Sequence, residues 1–383
     1  VTADLLLLGI SMLAWGFGEG MFYYFQPLYL QQLGADPIQI GYLLGALGIA
    51  MTVAHIPAGY LADKIGRRPM LWASWIIGAI AAWVMALSHS LVLFSAGMLL
   101  YGLTTCVISP LNSYVTAARG KLSVGRAITL ISAMYNTGAV LGPLVGGWIG
   151  EGYGLRMAYI AASIVFLVST IIILFIHAQP TERHDLEHPP LNLLANRRYI
   201  GFMSVAFLAM FATYLPQPLT PNFLQNERGL SLGLIGRLGA LNSLGNVLLN
   251  LTLGNLNTRL GFLLGQAAVG LFTLLMWQGT GLPAYALGYF LLGGYRAARS
   301  LIAAQVRTLV HQAQMGLAYG ITETINSLPL ILTPPIAGLL YASGPVSVYP
   351  VGLVLITISI LISLRFTPRH LAPGDPAILP LST

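Results

Sequence analysis

Apolar runs of about twenty residues follow one another along this chain, and that is the length a helix needs to cross a bilayer. Twelve can be marked, over 5–30, 38–61, 69–88, 91–117, 127–149, 156–177, 199–224, 232–256, 261–279, 283–306, 316–341 and 345–366. The polar breaks are short, so twelve spans nearly exhaust the 383 residues and leave no room for a sizeable soluble domain. Only 8% of the residues are charged, against about 25% in a soluble domain. The expectation is an all-α membrane protein. No nucleophile–base pair and no metal-ligand spacing emerges, which argues against an enzyme and against a metal or other cofactor.

The formal charge is +7, but its placement follows topology. Thirteen of the eighteen Lys and Arg fall in loops and tails on the side of the two termini. Only Arg156 and Arg228 fall on the opposite side, and Arg237, Arg296 and Arg299 fall within spans. This asymmetry predicts cytoplasmic termini and excludes a nucleic-acid partner as the reason for the charge. The first segment lacks a basic n-region and a cleavage site, so it reads as a retained helix. The longest polar stretch separates the sixth and seventh spans and holds three prolines. It predicts a first six-helix bundle over 1–178, a cytoplasmic linker over 179–198, a second bundle over 199–368 and a short tail over 369–383. His184 and His188 stand in that linker at helical spacing and read as solvated. The single Cys106 lies in an apolar segment and permits no intrachain disulfide.

The two halves repeat. Residues 41–66 align without gaps on 236–261, placing Gly59, Leu61 and Gly66 on Gly254, Leu256 and Gly261, with Thr258 where Asp63 stands in the first copy. The first spans also match, with Pro27 and Gln31 corresponding to Pro221 and Gln225. The first copy carries Gly59, Leu61, Asp63, Lys64, Gly66, Arg67 and Arg68 in a short loop between two apolar runs. This loop resembles the signature G-x-L-a-D-[RK]-x-G-[RK]-[RK] of the major facilitator superfamily. The resemblance implies twelve transmembrane helices in two pseudo-symmetric six-helix bundles, related by an axis along the membrane normal and rocking about a midplane site. It assigns conformational gating to Gly59, Asp63, Gly66, Arg67 and Arg68. It also makes the first, second, fourth and fifth helices of each half line the cavity or the interface, with the third and sixth peripheral. The sequence fits: 73–87, 159–176, 262–275 and 351–364 hold no charge and one amide, Gln266.

Charged groups inside the bilayer are costly and usually face a cavity or a partner. Glu19 lies in mid-span one and forms a helical stripe with Tyr23 and Gln26. It could exchange a proton, hold a cationic substrate, or be locked to a packing partner. Arg296 and Arg299 in span ten and Glu323 in span eleven predict an Arg–Glu pair, with Asn326 and Ser327 nearby; a substrate-anion clamp and a purely structural pair stay open, Arg299 being the more structural. Asn136, Gln217, Asn242 and Asn246 complete the candidate proton or substrate residues; with Asn250, the last two form a ladder that either lines a path or joins helices. His55 reads as a packing residue.

Span five carries Gly138, Gly142, Pro143, Gly146 and Gly147, a run of small residues suited to close helix packing. It resembles the core of the family's antiporter motif, G-x-x-x-G-P-x-x-G-G. Thr129 stands where that motif usually has a further glycine, and 101–109 lacks the basic residue that many drug–proton antiporters carry in span four. The looser counterpart in span eleven is Thr333-Pro334-Pro335 with Gly338. The resemblance implies proton-coupled export of an amphipathic or lipophilic small molecule, in keeping with the aromatic residues around Glu19, among them Trp15, Phe17, Phe22, Tyr24 and Phe25. The alternative is a carrier of an organic anion, sugar or lysolipid, anchored by Arg296 or Arg299 and not coupled to protons. A ligand sensor without turnover is disfavoured by the short tail. The expected partners are a small-molecule substrate, protons and the lipid of a plasma (inner) membrane, with the chain a monomer.

Overall fold

The computed structural model describes residues 2–53, 66–179, 196–310 and 315–367. Gly59, Asp63, His55, His184, His188 and the tail over 369–383 lie outside the described residues.

Every regular element among the described residues is helical. In the N-terminal half, span one is α1 (Ala3–Tyr23) plus α2 (Gln26–Gln32), and span two is α3 (Pro37–Val53). Span three is α4 (Arg67–Leu87), and span four is α5 (Leu91–Leu103), a 3-10 turn (Thr104–Val107) and α6 (Ile108–Ala118). Spans five and six are α7 (Val124–Tyr153) and α8 (Leu155–Ile173). The C-terminal half repeats the plan: α9 (Arg197–Tyr214) plus α10 (Thr220–Asn226), α11 (Leu232–Gly254), α12 (Thr258–Gln278), α13 (Leu282–Leu291) plus α14 (Gly294–Val306), α15 (Met315–Ser343) and α16 (Val348–Phe366). Among the described residues, eight helices, or nine with the bent α5–α6 pair, are long and apolar enough to cross a membrane unaided. The other three spans are α3, of 17 described residues, and the broken spans seven and ten. Side chains of Thr2, Ser90, Ser123, Asn196, Ser231 and Asn257 each accept a hydrogen bond from a helix's first turn, so the short loops stop and start helices cleanly.

The breaks are a departure from twelve continuous spans. They fall in spans one, four, seven and ten, the first helix of each three-helix unit. Pro27 and Pro221 open α2 and α10, where a missing N–H costs nothing but a continuing helix would clash with the ring. The α5–α6 pair bends by 42° ahead of Pro110. Gly293 and Gly294 mark the fourth break.

Glycines set the close contacts. Within the first half, α1 lies along α7: a Cβ on Gly138 would collide with the backbone of Leu13 and Phe17, one on Gly142 with Phe17 and Gly20, and one on Gly146 with Met21. Between the halves two contacts mirror each other. A Cβ on Gly41 of α3 would strike the Pro334 carbonyl of α15, and one on Gly236 of α11 would strike the Pro143 carbonyl of α7. Gly338 and Gly147 complete the pattern against Gly41 and Gly236. Gly41 and Gly236 are the first positions of the internal repeat, so the repeat builds two equivalent seams.

The peripheral helices α4, α8, α12 and α16 turn Ile80, Ile164, Leu271 and Leu361, among others, outward to the lipid. Their few polar groups act as clasps. Trp75 Nε1 donates to Ser11 Oγ (2.8 Å) and Ser169 Oγ (3.0 Å), tying α4 to α1 and α8. In the second half Gln266 is wholly buried; it donates to Ser363 Oγ (3.1 Å) and accepts from Ser359 Oγ (2.8 Å), tying α12 to α16. Trp75→Phe removes the indole donor while the two serine hydroxyls still bond each other. It should lower stability by about 1 kcal/mol, read as a lower thermal midpoint in detergent. An unchanged midpoint would show that the serine pair holds the three helices without the indole.

Candidate functional site

Where α1 meets α7, Gly16 lets the Tyr135 backbone and ring lie directly against α1; a Cβ there would overlap both. The Tyr135 phenol thereby reaches along α1 and donates to Glu19 Oε2 at 2.8 Å. Tyr101 of α5 also interacts electrostatically with the Glu19 carboxyl. Tyr23, one turn on, is 46% exposed and lies edge-on to Tyr24, with ring centroids 5.6 Å apart. The helical stripe ends there. The break at Tyr24–Phe25 turns Gln26 into the packing, where it is 3% exposed, which corrects the expected Glu19–Tyr23–Gln26 face. Trp15, Phe22 and Phe25 likewise lie in the core of the first half, so they do not surround Glu19 as a ligand-facing belt.

The facing wall comes from α9, α11, α14 and α15. Arg296 is exposed, its guanidinium makes no hydrogen bond among the described residues, and it interacts electrostatically with Glu19, Tyr135, Tyr23 and Tyr24 of the opposite half. Arg299, one turn away, donates to Glu323 Oε2 at 2.7 Å. Their side chains are 31% and 57% exposed, so solvent screens the pair and its net contribution to stability is small. Tyr214 and Tyr295 pack together beside them with tilted rings, centroids 5.6 Å apart. Of the four charges gathered here, Arg299 and Glu323 neutralise each other on one wall. The other two, Glu19 and Arg296, stand on opposite walls with no direct ion pair among the described residues.

The amides divide differently. Asn242 is buried, donates to the Tyr289 carbonyl (3.1 Å), and accepts from Tyr24 OH (2.9 Å) and Asn246 Nδ2 (3.3 Å). The upper part of the asparagine ladder is thus a joint between helices and between halves. Asn136 and Gln217 spend their amide donors on the Ser132 and Thr213 carbonyls one turn back. Asn326 is fully buried, and neither amide atom has a hydrogen-bond partner among the described residues.

At one end the halves are closed. Gln31 Oε1 accepts from Asn222 Nδ2 and from Asn226 Nδ2 (3.1 Å), and Asn222 Nδ2 also donates to the Pro27 carbonyl (3.2 Å). Glu151 Oε2 accepts from Ser231 Oγ (3.1 Å) and Gly233 N (2.9 Å), capping α11 from the other half. Among the described residues, every hydrogen bond between the halves lies at this end or at Tyr24. The opposite end, where the N-terminus lies, leaves Asn250, Ser300 and Glu323 exposed. Among the described residues the site is therefore exposed toward the termini. There, Gly66 takes a φ of +91°, Arg67 Nη1 donates to the Ser113 carbonyl (3.2 Å), and the Arg68 guanidinium lies 3.9 Å from the Trp72 ring centre.

Sequence reasoning missed Tyr101 and Tyr135 as partners of Glu19, and Gln31, Glu151, Asn222 and Asn226 as closing contacts. The Pro27–Gln31 and Pro221–Gln225 repeat was the one signal for the latter, because it places α2 and α10 as equivalents. Among the described residues no three His, Cys, Asp or Glu side chains gather to hold a metal. An apolar groove of about 560 Å³ between α4, α5 and α8 is lined by Ile80, Trp83, Leu87 and Leu93 and belongs to the lipid-facing surface.

Two repeated helical bundles, closed at one end around a charged midplane site, define a polytopic membrane transporter. The chain matches the Major Facilitator Superfamily over residues 8–201 and 202–379, and it belongs to that family. Multidrug resistance protein 2 of Bacillus subtilis (strain 168) is 23% identical over 344 residues, 85% of either chain. Multidrug resistance protein MdtG of Enterobacter lignolyticus is 31% identical over 172 residues, 43% of this chain and 41% of that one. An uncharacterized MFS-type transporter of Methanocaldococcus jannaschii is 27% identical over 160 residues, and the match spans only 40% of that relative's length. Among solved structures, the nucleoside transporter NupG superposes with a TM-score of 0.78 at 16% identity, over 95% of this chain and 98% of that one. A bacterial homolog of the human lysosomal transporter Spinster, inward-facing and occupied, superposes with a TM-score of 0.71 at 15% identity, over 95% of this chain and 94% of that one. At such identities the likeness shows the fold alone.

Proposed function

We propose that this transporter is a proton-coupled exporter of amphipathic or lipophilic small molecules, working by alternating access. The observation that carries the proposal is Glu19: a mid-bilayer carboxyl steadied by the Tyr135 hydroxyl and facing a cationic wall. Such a group can take up a proton or a cation, but not both at once, which is the requirement for exchange. Export is supported by the relatives named multidrug resistance proteins, one of them matched over 85% of its length. The Lys and Arg asymmetry supports cytoplasmic termini, and with them a cytoplasmic open end. The bundles over 1–178 and 199–368 would then rock against each other, the Gly41–Gly338 and Gly147–Gly236 seams parting as the closed end opens and the signature loop latching the cytoplasmic end in the alternate state. The chain would act as a monomer in the plasma (inner) membrane.

The test is uptake into inside-out vesicles with an acidified lumen. A lipophilic fluorescent substrate should accumulate in the lumen, and nigericin should abolish the accumulation. Uptake that ignores nigericin would favour the second reading, an uncoupled carrier of an organic anion, sugar or lysolipid, for which the exposed Arg296 is the supporting observation.

A further inference from the structure

The cavity presents one acid on its first wall and one base on its second. Glu19 faces Tyr101 of α5, Tyr135 of α7, Tyr23 of its own helix and Arg296 of α14. Arg296 faces Glu19, Tyr23, Tyr24 and Tyr135, with Arg299 beside it on α14. Arg299 is occupied by Glu323. The two open charges are opposite in sign, lie on different halves, and do not meet.

A ligand with a single positive charge gains Glu19 but meets repulsion from Arg296. A ligand with a single negative charge gains the guanidinium fork but meets repulsion from the ionised carboxylate. A neutral ligand displaces water from both ions and replaces its hydrogen bonds poorly. Only a ligand that carries both charges satisfies both walls.

We infer that the preferred substrate is a zwitterionic amphipath, its cationic end on Glu19 and its anionic end on Arg296, its apolar body among Tyr23, Tyr135 and Tyr214. This deepens the exporter reading and rests on it for direction. It also supplies the conformational step. A ligand can shift an equilibrium only through contacts that differ between the states. One that spans Glu19 and Arg296 draws the two halves together over the open end more strongly than one held by a single wall. A proton arriving at Glu19 from the other side of the membrane displaces the cationic end and weakens the bridge, which is the sign needed for exchange.

The experiment is calorimetric binding to the full-length protein in detergent with naphthylalanine and its two singly charged analogues, naphthylethylamine and naphthylpropionate. Naphthylalanine should bind about tenfold or more tightly than either, the size expected for one charge-assisted contact. Arg296→Gln should remove that advantage and raise the affinity for naphthylethylamine. Glu19→Gln should remove it and raise the affinity for naphthylpropionate. These opposite gains cannot arise from misfolding. Equal affinities for the three ligands, or an Arg296→Gln variant that still prefers the zwitterion, overturn the inference. Vesicle uptake driven by the proton gradient separates the two proposals. Gradient-driven transport without zwitterion preference leaves the exporter standing and removes this substrate class. Zwitterion preference without gradient-driven transport leaves the bipolar site standing and removes the exporter.

Discussion

Glu19→Gln should abolish gradient-driven accumulation and leave a slower but measurable exchange of substrate for substrate across the membrane. The reasoning is local. The amide keeps the volume of the carboxyl, and its oxygen still accepts from Tyr135 OH, so the α1–α7 contact around Gly16 is undisturbed. What is lost is the capacity to carry a proton. Alternating access does not require that capacity, so the halves still exchange their two arrangements and pass substrate down its own gradient. Coupling does require it, and uptake in vesicles with an acid lumen should fall to the level of empty vesicles. Glu19→Asp separates charge from reach. Shorter by one methylene, it keeps the proton but loosens the Tyr135 bond, and it should retain partial coupling. If Glu19→Gln still accumulates substrate against a gradient, the coupling carboxyl is elsewhere. Glu323, paired with Arg299, is then the next group to neutralise.

The fold was legible because the bilayer makes it so. Only apolar stretches of spanning length can cross, loop charge reports their direction, and the 41–66 and 236–261 repeat reports their pairing. The site was legible only in part, and the reason is the same solvent. A soluble helix declares its buried face by polarity, but on α1 the lipid, the core and the cavity all face apolar or aromatic side chains. Trp15, Phe22 and Phe25 therefore looked equivalent to Tyr23, although three are core and one faces the opening. Charge within a span was the clearest signal of proximity, since Arg299 pairs with Glu323 and Arg296 interacts electrostatically with Glu19. Amides were not, because Asn242 and Gln266 meet their hydrogen-bonding needs by joining helices. The partners of Glu19 left no periodic trace, since Tyr101 and Tyr135 come from other helices and meet it only through tertiary packing.

The span-five glycines should divide into two phenotypes, although one motif contains them all. Gly142 packs inside the first half: a Cβ there would meet the Phe17 carbonyl and Gly20. The α1–α7 contact runs through Gly138, Gly142 and Gly146, and no rocking motion of the halves relieves it. Gly142→Val should therefore cost folding itself, with overpacking of about 1–3 kcal/mol or more, read as lost monodisperse protein on size exclusion. Gly147 points the other way. A Cβ there would meet the Leu232 carbonyl and Gly236 of the second half. That contact exists only while this end is closed, so the same overpacking energy becomes a bias between states. A penalty of about 1–3 kcal/mol on the closed arrangement shifts the equilibrium roughly 5–150-fold toward its opening. Gly147→Val should fold, bind ligand from the side opposite the termini, and transport slowly. Spin labels at Tyr153 and Thr280, in a Cys106→Ser background, report the separation of the halves at that end, and the distance should lengthen in Gly147→Val. A Gly147→Val protein that aggregates as Gly142→Val does, or one with an unchanged label distance, would place Gly147 in the fold rather than in the gate. The mirrored contact supplies the control. Gly338 meets Pro37 and Gly41 across the other seam, so Gly338→Val should open the same end and lengthen the same distance.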